Sequence, residues 1–168
     1  MTSRPTTGPR TAPAPAVRGP APAYRVLVTS SRTWRDHAAI YTRLDAIHAE
    51  HPDMTLMHGA AKEGGDAISD RWAILRGVPV ERHPAQWRRY GKAAGYRRNT
   101  AMVQTRPDRC EAFIDVCAKP GCTEPMPHGS HGAEHCAHIA DLAGIPVHPH
   151  RTFTPRPSVE QLALGEAP

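Results

Sequence analysis

The chain has 168 residues, with 21 Lys or Arg, 16 Asp or Glu, 18 Pro, 4 Cys and a formal net charge of +5. This length suits one compact domain, and no run of about 18 apolar residues is present, which excludes a membrane-spanning helix. Residues 1–30 lack the apolar segment of a secretory signal, so we expect a cytoplasmic protein whose cysteines are buried thiols or metal ligands.

Most of the positive charge lies outside the expected domain. Three arginines before residue 24 contribute +3, and 5 − 3 leaves +2 for the rest of the chain. This balance argues against a nucleic-acid partner, because such proteins present a broad basic face. The one dense basic cluster lies between residues 88 and 98, and its local character suggests a small anionic ligand.

Strand-like and helix-like apolar patterns alternate along the chain. Residues 1–23 hold six prolines, and we predict a disordered Pro/Ala-rich tail there. Periodicity then predicts strands at 24–29, 54–58, 78–82, 111–116 and 145–148, and helices at 36–50, 66–76, 96–104 and 133–143. The segment 117–131 is an irregular, Cys/His-rich insertion, and residues 151–168 are expected to form a flexible tail.

This alternation predicts an α/β domain over residues 24–150. Right-handed βαβ crossovers give a Rossmann-like three-layer sandwich with a five-stranded, mainly parallel sheet. Ligands in such sheets bind beyond the carboxyl ends of the strands. The site is therefore expected in segments 29–34, 58–66, 83–98 and 117–133.

The first strand is followed by Ser30, Ser31 and Arg32. Hydroxyl groups and a guanidinium group donate hydrogen bonds to phosphate oxygens, and small residues let backbone N–H groups approach an anion. The alternative is a helix N-cap region with a solvated arginine.

Glycines and an aspartate follow the second strand. Gly59 and Gly65 permit close backbone approach to a ligand, and Asp66 either caps its helix or binds ribose hydroxyls. His58 precedes them, and a strand-end histidine of this kind is more often hydrogen-bonded than catalytic. All four are candidate ligand-binding residues.

The last two helices each begin with a candidate anion site. Arg98 and Asn99 open the third predicted helix, where the positive end of the helix dipole favours an anion; the alternative is a solvated basic turn. Gly129, Ser130 and Gly132 precede the last helix as a glycine-rich phosphate loop.

Four stretches occur in a fixed order along the chain: RVLVTSSRTW, HGAAKEGGDA, PAQWRRYGKAAGYRRNTAM and GSHGAEHCAHIADLAGIPV. Together they resemble the SLOG superfamily, in its YspA/YpsA-related branch, over about residues 24–149. The resemblance implies a Rossmann-like fold that binds nucleotides or derivatives such as ADP-ribose or NAD fragments. Its enzymatic relatives, the lonely-guy type phosphoribohydrolases, cleave the N-glycosidic bond of a nucleoside monophosphate.

The family motifs imply roles for individual residues. The glycine of the family's first loop is replaced by Ser30, Arg98 matches the catalytic arginine of the hydrolases, and Cys136 stands where they have a catalytic glutamate. A thiol cannot replace that carboxylate. The expected ligand places its ribose on Asp66 and its phosphate on the following residues: Ser30, Ser31, Gly129, Ser130 and Gly132, with Arg32 and Arg98 as charge partners.

The Cys/His-rich insertion has the spacing of a metal site. Cys117-x4-Cys122-x5-His128-x2-His131 resembles a zinc-binding pattern, with His135 as an alternative fourth ligand. A closed four-ligand site would be structural, and an open position facing Asp66 or Arg98 would be catalytic. The alternative is an ordinary loop with solvated histidines and free thiols.

Three functions remain open at this point. The leading hypothesis is a domain that binds a nucleotide or nucleotide-derived ligand as a sensor or processor. The second is an N-glycosidic hydrolase of the phosphoribohydrolase type that uses Arg98. The third is a zinc-stapled nucleic-acid interaction module, which the Cys/His-rich insertion favours and the nearly neutral domain disfavours. No membrane partner is expected, and the sequence leaves homo-oligomerisation open.

Overall fold

A computed structural model describes residues 23–155. The predicted N-terminal tail, except for residue 23, and residues 156–168 of the predicted C-terminal tail lie outside the described residues. The elements in chain order are β1 (Arg25–Ser30), α1 (His37–Glu50), β2 (Thr55–His58), α2 (Gly65–Arg76), β3 (Val80–Arg82), α3 (Trp87–Tyr90), a 3₁₀ turn (Gly91–Ala93), α4 (Ala94–Gln104), β4 (Arg109–Ile114), α5 (His131–Leu142) and β5 (Val147–Arg151).

The five strands form one sheet with the order β3-β2-β1-β4-β5. Every pairing among these strands is parallel, so the predicted Rossmann-like α/β fold is confirmed. β1 is the central strand, with Val26 opposite Leu56 of β2 and Leu27 opposite Cys110 of β4. The strand order reverses between β1 and β4, and an α/β sheet binds ligands in the crevice at such a reversal.

The two faces of β1 bury side chains against different helices. Val26 and Val28 pack with the apolar residues of α1 and α2, including Ile40 and Trp72. Leu27 points to the opposite face and packs with residues of α4 and α5. Strands that are buried on both faces explain why the sequence pattern of β1 is a continuous apolar run. Cys110 is fully buried, as expected of a core cysteine.

One carboxylate is fully buried within the sheet. Glu111 of β4 accepts a hydrogen bond from Arg43 Nε at 3.0 Å, and His150 Nε2 lies 2.7 Å from the same oxygen. Arg109 Nη2 lies 2.8 Å from the other oxygen. Burial raises the pKa of Glu111, but the hydrogen bonds from His150 and Arg43 outweigh burial and hold this pKa below its ordinary value.

The ends of the helices agree with the sequence to within a few residues. Asp36 caps α1 by accepting a hydrogen bond from the Ala39 N–H at 2.9 Å, and Gly77 ends α2 in a left-handed conformation. The short helix α3 falls in a segment that the sequence predicts as a loop, because Gly91 and Gly95 interrupt the apolar period there. β5 continues to Arg151, past its predicted end at His148. No helix within residues 23–155 is long and apolar enough to cross a bilayer.

Candidate functional site

A cavity of about 460 Å³, the main cavity, lies at the carboxyl ends of β1 and β2 beside the first turn of α5. A neighbouring side cavity of about 370 Å³ shares five residues with it: Arg32, Gly59, Ala61, Trp87 and Arg98. Eight of the twelve ligand residues predicted from the sequence line the main cavity: Ser30, Arg32, Gly59, Asp66, Arg98, Asn99, Ser130 and Gly132.

The floor of the main cavity contains a fixed carboxylate. Ser30 Oγ donates to Asp66 Oδ1 at 3.1 Å and accepts from the Asp66 N–H at 3.0 Å, and the Ala61 N–H donates to Asp66 Oδ2 at 3.1 Å. A Cβ at Gly65 would lie 2.5 Å from the Ser30 Cβ, so this contact requires glycine. Asp66 also lies in the first turn of α2, where the helix dipole stabilises a negative charge.

Above this carboxylate lies the guanidinium group of Arg98. Its side chain is 18% exposed, and Nη1 lies 3.9 Å from Asp66 Oδ2. Nε and Nη1 are buried and have no hydrogen-bond partner among the described residues. Burial lowers the pKa of Arg98, and the charge of Asp66 offsets part of this effect. Burial of a guanidinium group whose charge is only partly balanced is costly, so the negative charge of an anion in the main cavity would stabilise this side chain.

The position of Arg98 depends on Gly59. A Cβ built on Gly59 would lie 1.2 Å from Arg98 Nη1 and 2.0 Å from Cζ. The guanidinium group therefore lies directly over the backbone of the loop that follows β2. This contact explains why the His58-Gly59 pair needs glycine at its second position.

Aromatic and cationic side chains form the outer wall. Trp87 is 50% exposed, in contrast to the buried Trp34 and Trp72, and the Arg32 guanidinium carbon lies 5.7 Å from its ring centroid. Tyr96 packs edge-on against His135, with ring centroids 4.6 Å apart.

The ligand residues predicted from the sequence do not include these aromatic residues or the lining Lys119, whereas the lining Lys92 belongs to the basic cluster between residues 88 and 98. Trp87 could have been identified from the sequence, because it is a bulky apolar residue immediately before the basic cluster.

The start of α5 forms the remaining wall. Ser130 Oγ lies 2.6 Å from Ser31 Oγ, which accepts a hydrogen bond from the Asp115 N–H at 2.8 Å. Asn99 Nδ2 donates to the Gly132 carbonyl oxygen at 3.0 Å. No side chain among the described residues caps this helix, so its first N–H groups remain available to an anion.

Four predicted ligand residues do not line the main cavity: Ser31, His58, Gly65 and Gly129. His58 is buried, with Nε2 2.9 Å from Asp70 Oδ1 and Nδ1 accepting from the Ala60 N–H at 3.1 Å. Its ring thus supports the loop after β2. A Cβ at Gly129 would lie 2.1 Å from Glu134 Oε1, so this glycine makes room for a side chain of α5. A ligand contact from these four residues stays a prediction.

The residues near the expected catalytic acid are not suited to proton transfer. Cys136 is fully buried; burial raises the pKa of its thiol to about 11, although a hydrogen bond with Thr29 and the charge of Arg98 act in the opposite direction. The thiol is therefore neutral near pH 7. Glu134 forms a two-point ion pair with Arg151, with Nη2 3.1 Å from Oε2. Among the described residues, Asp66 is the only carboxylate that lines the main cavity.

Beside the cavity lies the Cys/His cluster, formed by Cys117, Cys122, His128 and His131. One donor atom from each residue lies within 4.8 Å of all the others, so the four could hold a metal ion. Hydrogen bonds from the backbone of Glu124 and from His131 lower the pKa of Cys122 to about 7.

His135, the alternative fourth ligand, faces Tyr96 instead. None of the four cluster residues lines the main cavity, so the structure does not provide the catalytic open position considered from the sequence.

Comparison with known proteins gives the family. Residues 24–90, which contain β1 to β3, match the model of the YspA, cpYpsA-related SLOG family. The chain is also 39% identical over 129 residues to the Gene 61 protein of Mycobacterium phage D29, an alignment that covers 73% of this chain and 93% of that protein. No solved structure matches the chain. The parallel sheet, the order of the motifs and the family model agree: the chain belongs to the YspA, cpYpsA-related SLOG family.

Proposed function

We propose that the main cavity binds a nucleotide-derived anion, of the size of a nucleoside monophosphate or ADP-ribose, and that the protein acts as a binding or sensing domain. The strongest support is the Arg98 guanidinium group, which is mostly buried at the cavity and has two nitrogens without an acceptor. Membership in a SLOG family suggests a nucleotide-related ligand.

The charges around the cavity favour a phosphate group. Four cationic side chains line it, namely Arg32, Lys92, Arg98 and Lys119, against the single carboxylate of Asp66. Charge-assisted hydrogen bonds to phosphate oxygens are about twice as strong as neutral ones. We place the phosphate between Arg98, Ser130 and the uncapped start of α5, where the positive end of the helix dipole adds to the attraction.

The remaining parts of the ligand follow from the positions of the other walls. Asp66 is a hydrogen-bond acceptor at the floor, and we assign the ribose hydroxyls to it, as in dinucleotide sites. Trp87 borders both cavities and offers an exposed aromatic face for a base. A ligand with two lobes, such as ADP-ribose, would occupy the main and side cavities together.

Binding without turnover is the form of this function that we favour. Hydrolysis of an N-glycosidic bond needs a carboxylate at the reacting carbon. Cys136 is a neutral thiol and Glu134 is paired with Arg151, while Asp66 is held by Ser30 and by the Ala61 N–H. The phosphoribohydrolase alternative would have to use Asp66 with Arg98.

We give the nucleic-acid alternative less weight, because four cationic side chains, those of Arg32, Lys92, Arg98 and Lys119, line the main cavity. The cofactor that we propose is zinc, bound by the Cys/His cluster outside the main cavity. Zinc therefore has a structural part in this function.

Calorimetric titration of the full chain with ADP-ribose and with AMP tests the proposal. We expect binding that is weakened at least about tenfold in Arg98→Ala, which loses a charged hydrogen bond worth about 1.5–3 kcal/mol. Arg97→Ala is the matched control, since Arg97 is exposed and stacks on Tyr90.

Chromatography of the same mixtures separates binding from hydrolysis. We expect no release of ribose 5-phosphate from AMP. Release at a rate that depends on Arg98 would favour the hydrolase, and no binding of either nucleotide would refute the proposal.

A further inference from the structure

We propose that Cys117, Cys122, His128 and His131 bind a zinc ion that fastens the loop after β4 to the start of α5, and that this ion holds two walls of the main cavity in place. The metal site is inferred from the geometry of these four residues alone. The effect on ligand affinity rests also on the proposed function.

The donor set and its dimensions suit zinc. Two sulfurs and two imidazole nitrogens form the Cys₂His₂ combination that binds zinc tetrahedrally in structural sites. Bond lengths of about 2.3 Å to sulfur and about 2.1 Å to nitrogen place such donors about 3.4–3.8 Å apart. Here the Nε2 atoms of His128 and His131 each lie 3.3 Å from Cys122 Sγ, and all four donors lie within 4.8 Å of one another.

Both imidazole rings are already oriented for a metal. His128 Nδ1 donates to the Gly129 carbonyl oxygen at 2.9 Å, and His131 Nδ1 lies 3.3 Å from Glu124 Oε1. A proton on each Nδ1 leaves the lone pair of each Nε2 directed at the sulfur of Cys122. Metal-binding histidines use the same arrangement, with a carbonyl or carboxylate group on the outer nitrogen.

The loop lacks an apolar core that could order it. Residues 118–127 are all exposed except the half-buried Cys122, and the loop contains no helix or strand. Its base is closed by a bridge between Val116 and Gly129 and by the hydrogen bond from the Cys117 N–H to the His128 carbonyl oxygen at 2.8 Å. Long loops need an additional constraint to adopt one conformation, and the Cys/His cluster is where the tip of this loop meets α5.

The ends of the cluster are adjacent in sequence to cavity residues. Ala118 and Lys119 line the main cavity immediately after Cys117, while Ser130 and Gly132 line it on either side of His131. A metal ion that joins these segments fixes the distance between the two walls. With four protein donors the site is closed, as in structural zinc sites.

Metal analysis of the purified full chain tests the site. We expect one zinc ion per chain, and a cobalt-substituted protein with the visible absorption of a tetrahedral thiolate complex. Cys122→Ser and His131→Gln should lose the metal, and Glu124→Gln should weaken metal binding about tenfold through the outer nitrogen of His131. His138→Gln is the matched control, because His138 is exposed on α5 outside the cluster. The proposal would be overturned if the wild-type protein contained no zinc and also gave no such spectrum with cobalt.

Hydrogen exchange tests the structural role of the metal. The experiment uses wild-type protein without ADP-ribose, so it does not depend on the folding of a variant. Wild-type protein stripped by a chelator should exchange faster across residues 117–133 and regain protection when zinc is restored, while β1 and β2 stay unchanged. Equal protection with and without zinc would overturn the structural role.

Titration with ADP-ribose on the same preparations tests the link to the cavity. We expect at least tenfold weaker binding after zinc removal, restored by zinc. Unchanged affinity would overturn the link. Zinc-loaded protein could show zinc-dependent protection from hydrogen exchange and still have no affinity for ADP-ribose. That result would refute the proposed function and leave the metal site supported.

Discussion

Replacing Gly59 by Ala should displace the guanidinium group of Arg98 while residue 98 remains an arginine. The added methyl group would lie 1.2 Å from Nη1, 2.0 Å from Cζ and 2.6 Å from Nη2, so it occupies the space of the guanidinium group. Gly59 has no left-handed backbone conformation, and alanine can therefore adopt its φ and ψ angles. The end of a flexible side chain gives way, and Arg98 leaves its position over the loop.

The expected loss is in affinity rather than in stability. A hydrogen bond between a charged group and an anion is worth about 1.5–3 kcal/mol, which corresponds to about 10- to 150-fold weaker binding of ADP-ribose. The displaced guanidinium group regains contact with water, so its desolvation cost is relieved. We therefore expect the free energy of unfolding to change by less than about 1 kcal/mol.

Calorimetry on a double-mutant cycle checks this reasoning. Gly59→Ala, Arg98→Ala and the double variant should bind ADP-ribose with similar, weakened affinities, because the two changes remove the same interaction. Urea denaturation of each variant should accompany the titrations, with Arg97→Ala as the control. Full affinity in Gly59→Ala, or losses that add in the double variant, would refute the role assigned to Arg98.

Three further predictions concern the sheet and the walls of the cavity. Glu111→Gln should lower the free energy of unfolding by about 3 kcal/mol at pH 7, since it breaks a buried ion pair. Because the folded-state pKa is lowered, this stabilisation is present above the unfolded-state pKa and is lost as the pH falls through the folded-state pKa; urea titrations in which the deficit of Glu111→Gln does not shrink as the pH falls through this range would contradict it. Ser31→Ala should lower the free energy of unfolding by about 1 kcal/mol, because the half-buried Asp115 N–H loses its acceptor; unchanged stability in thermal unfolding would count against that bond. ADP-ribose should quench the fluorescence of Trp87, and Trp87→Phe should bind while losing the quench; persistent quenching would exclude Trp87 from the site.

Much of the fold could be predicted because it depends on local periodicity. The apolar run at β1 and the i, i+4, i+7 spacing of Ile40, Leu44 and Ile47 in α1 are properties of short segments, and the structure buries these residues. The parallel sheet and the carboxyl-edge site then follow from the rules of α/β sheets. The sequence does not predict α3, because a helix of four residues is too short to show the 3.6-residue repeat of apolar side chains.

The candidate site was less predictable because burial depends on partners distant in sequence. Ser31 and Ser30 look alike in the sequence, but Ser31 turns toward Ser130, 99 residues away, and leaves the cavity wall to Ser30. The choice between His131 and His135 depended on where α5 begins. The helix starts at His131 rather than at the predicted Ala133, and this start places His135 one turn further along, against Tyr96.

The central place of β1 makes the sheet depend on strands from both halves of the chain. Residues 24–90, the part that matches the family model, contain β1, β2 and β3 but not β4. A fragment of that length would leave one edge of β1 without its partner from Val26 to Ser30, and Leu27 without the helices that cover it. Such an edge invites pairing with other chains. A chain cut back to the part that matches the family model would therefore have an unpaired strand edge, and the smallest unit of this fold with both edges of β1 paired includes β4.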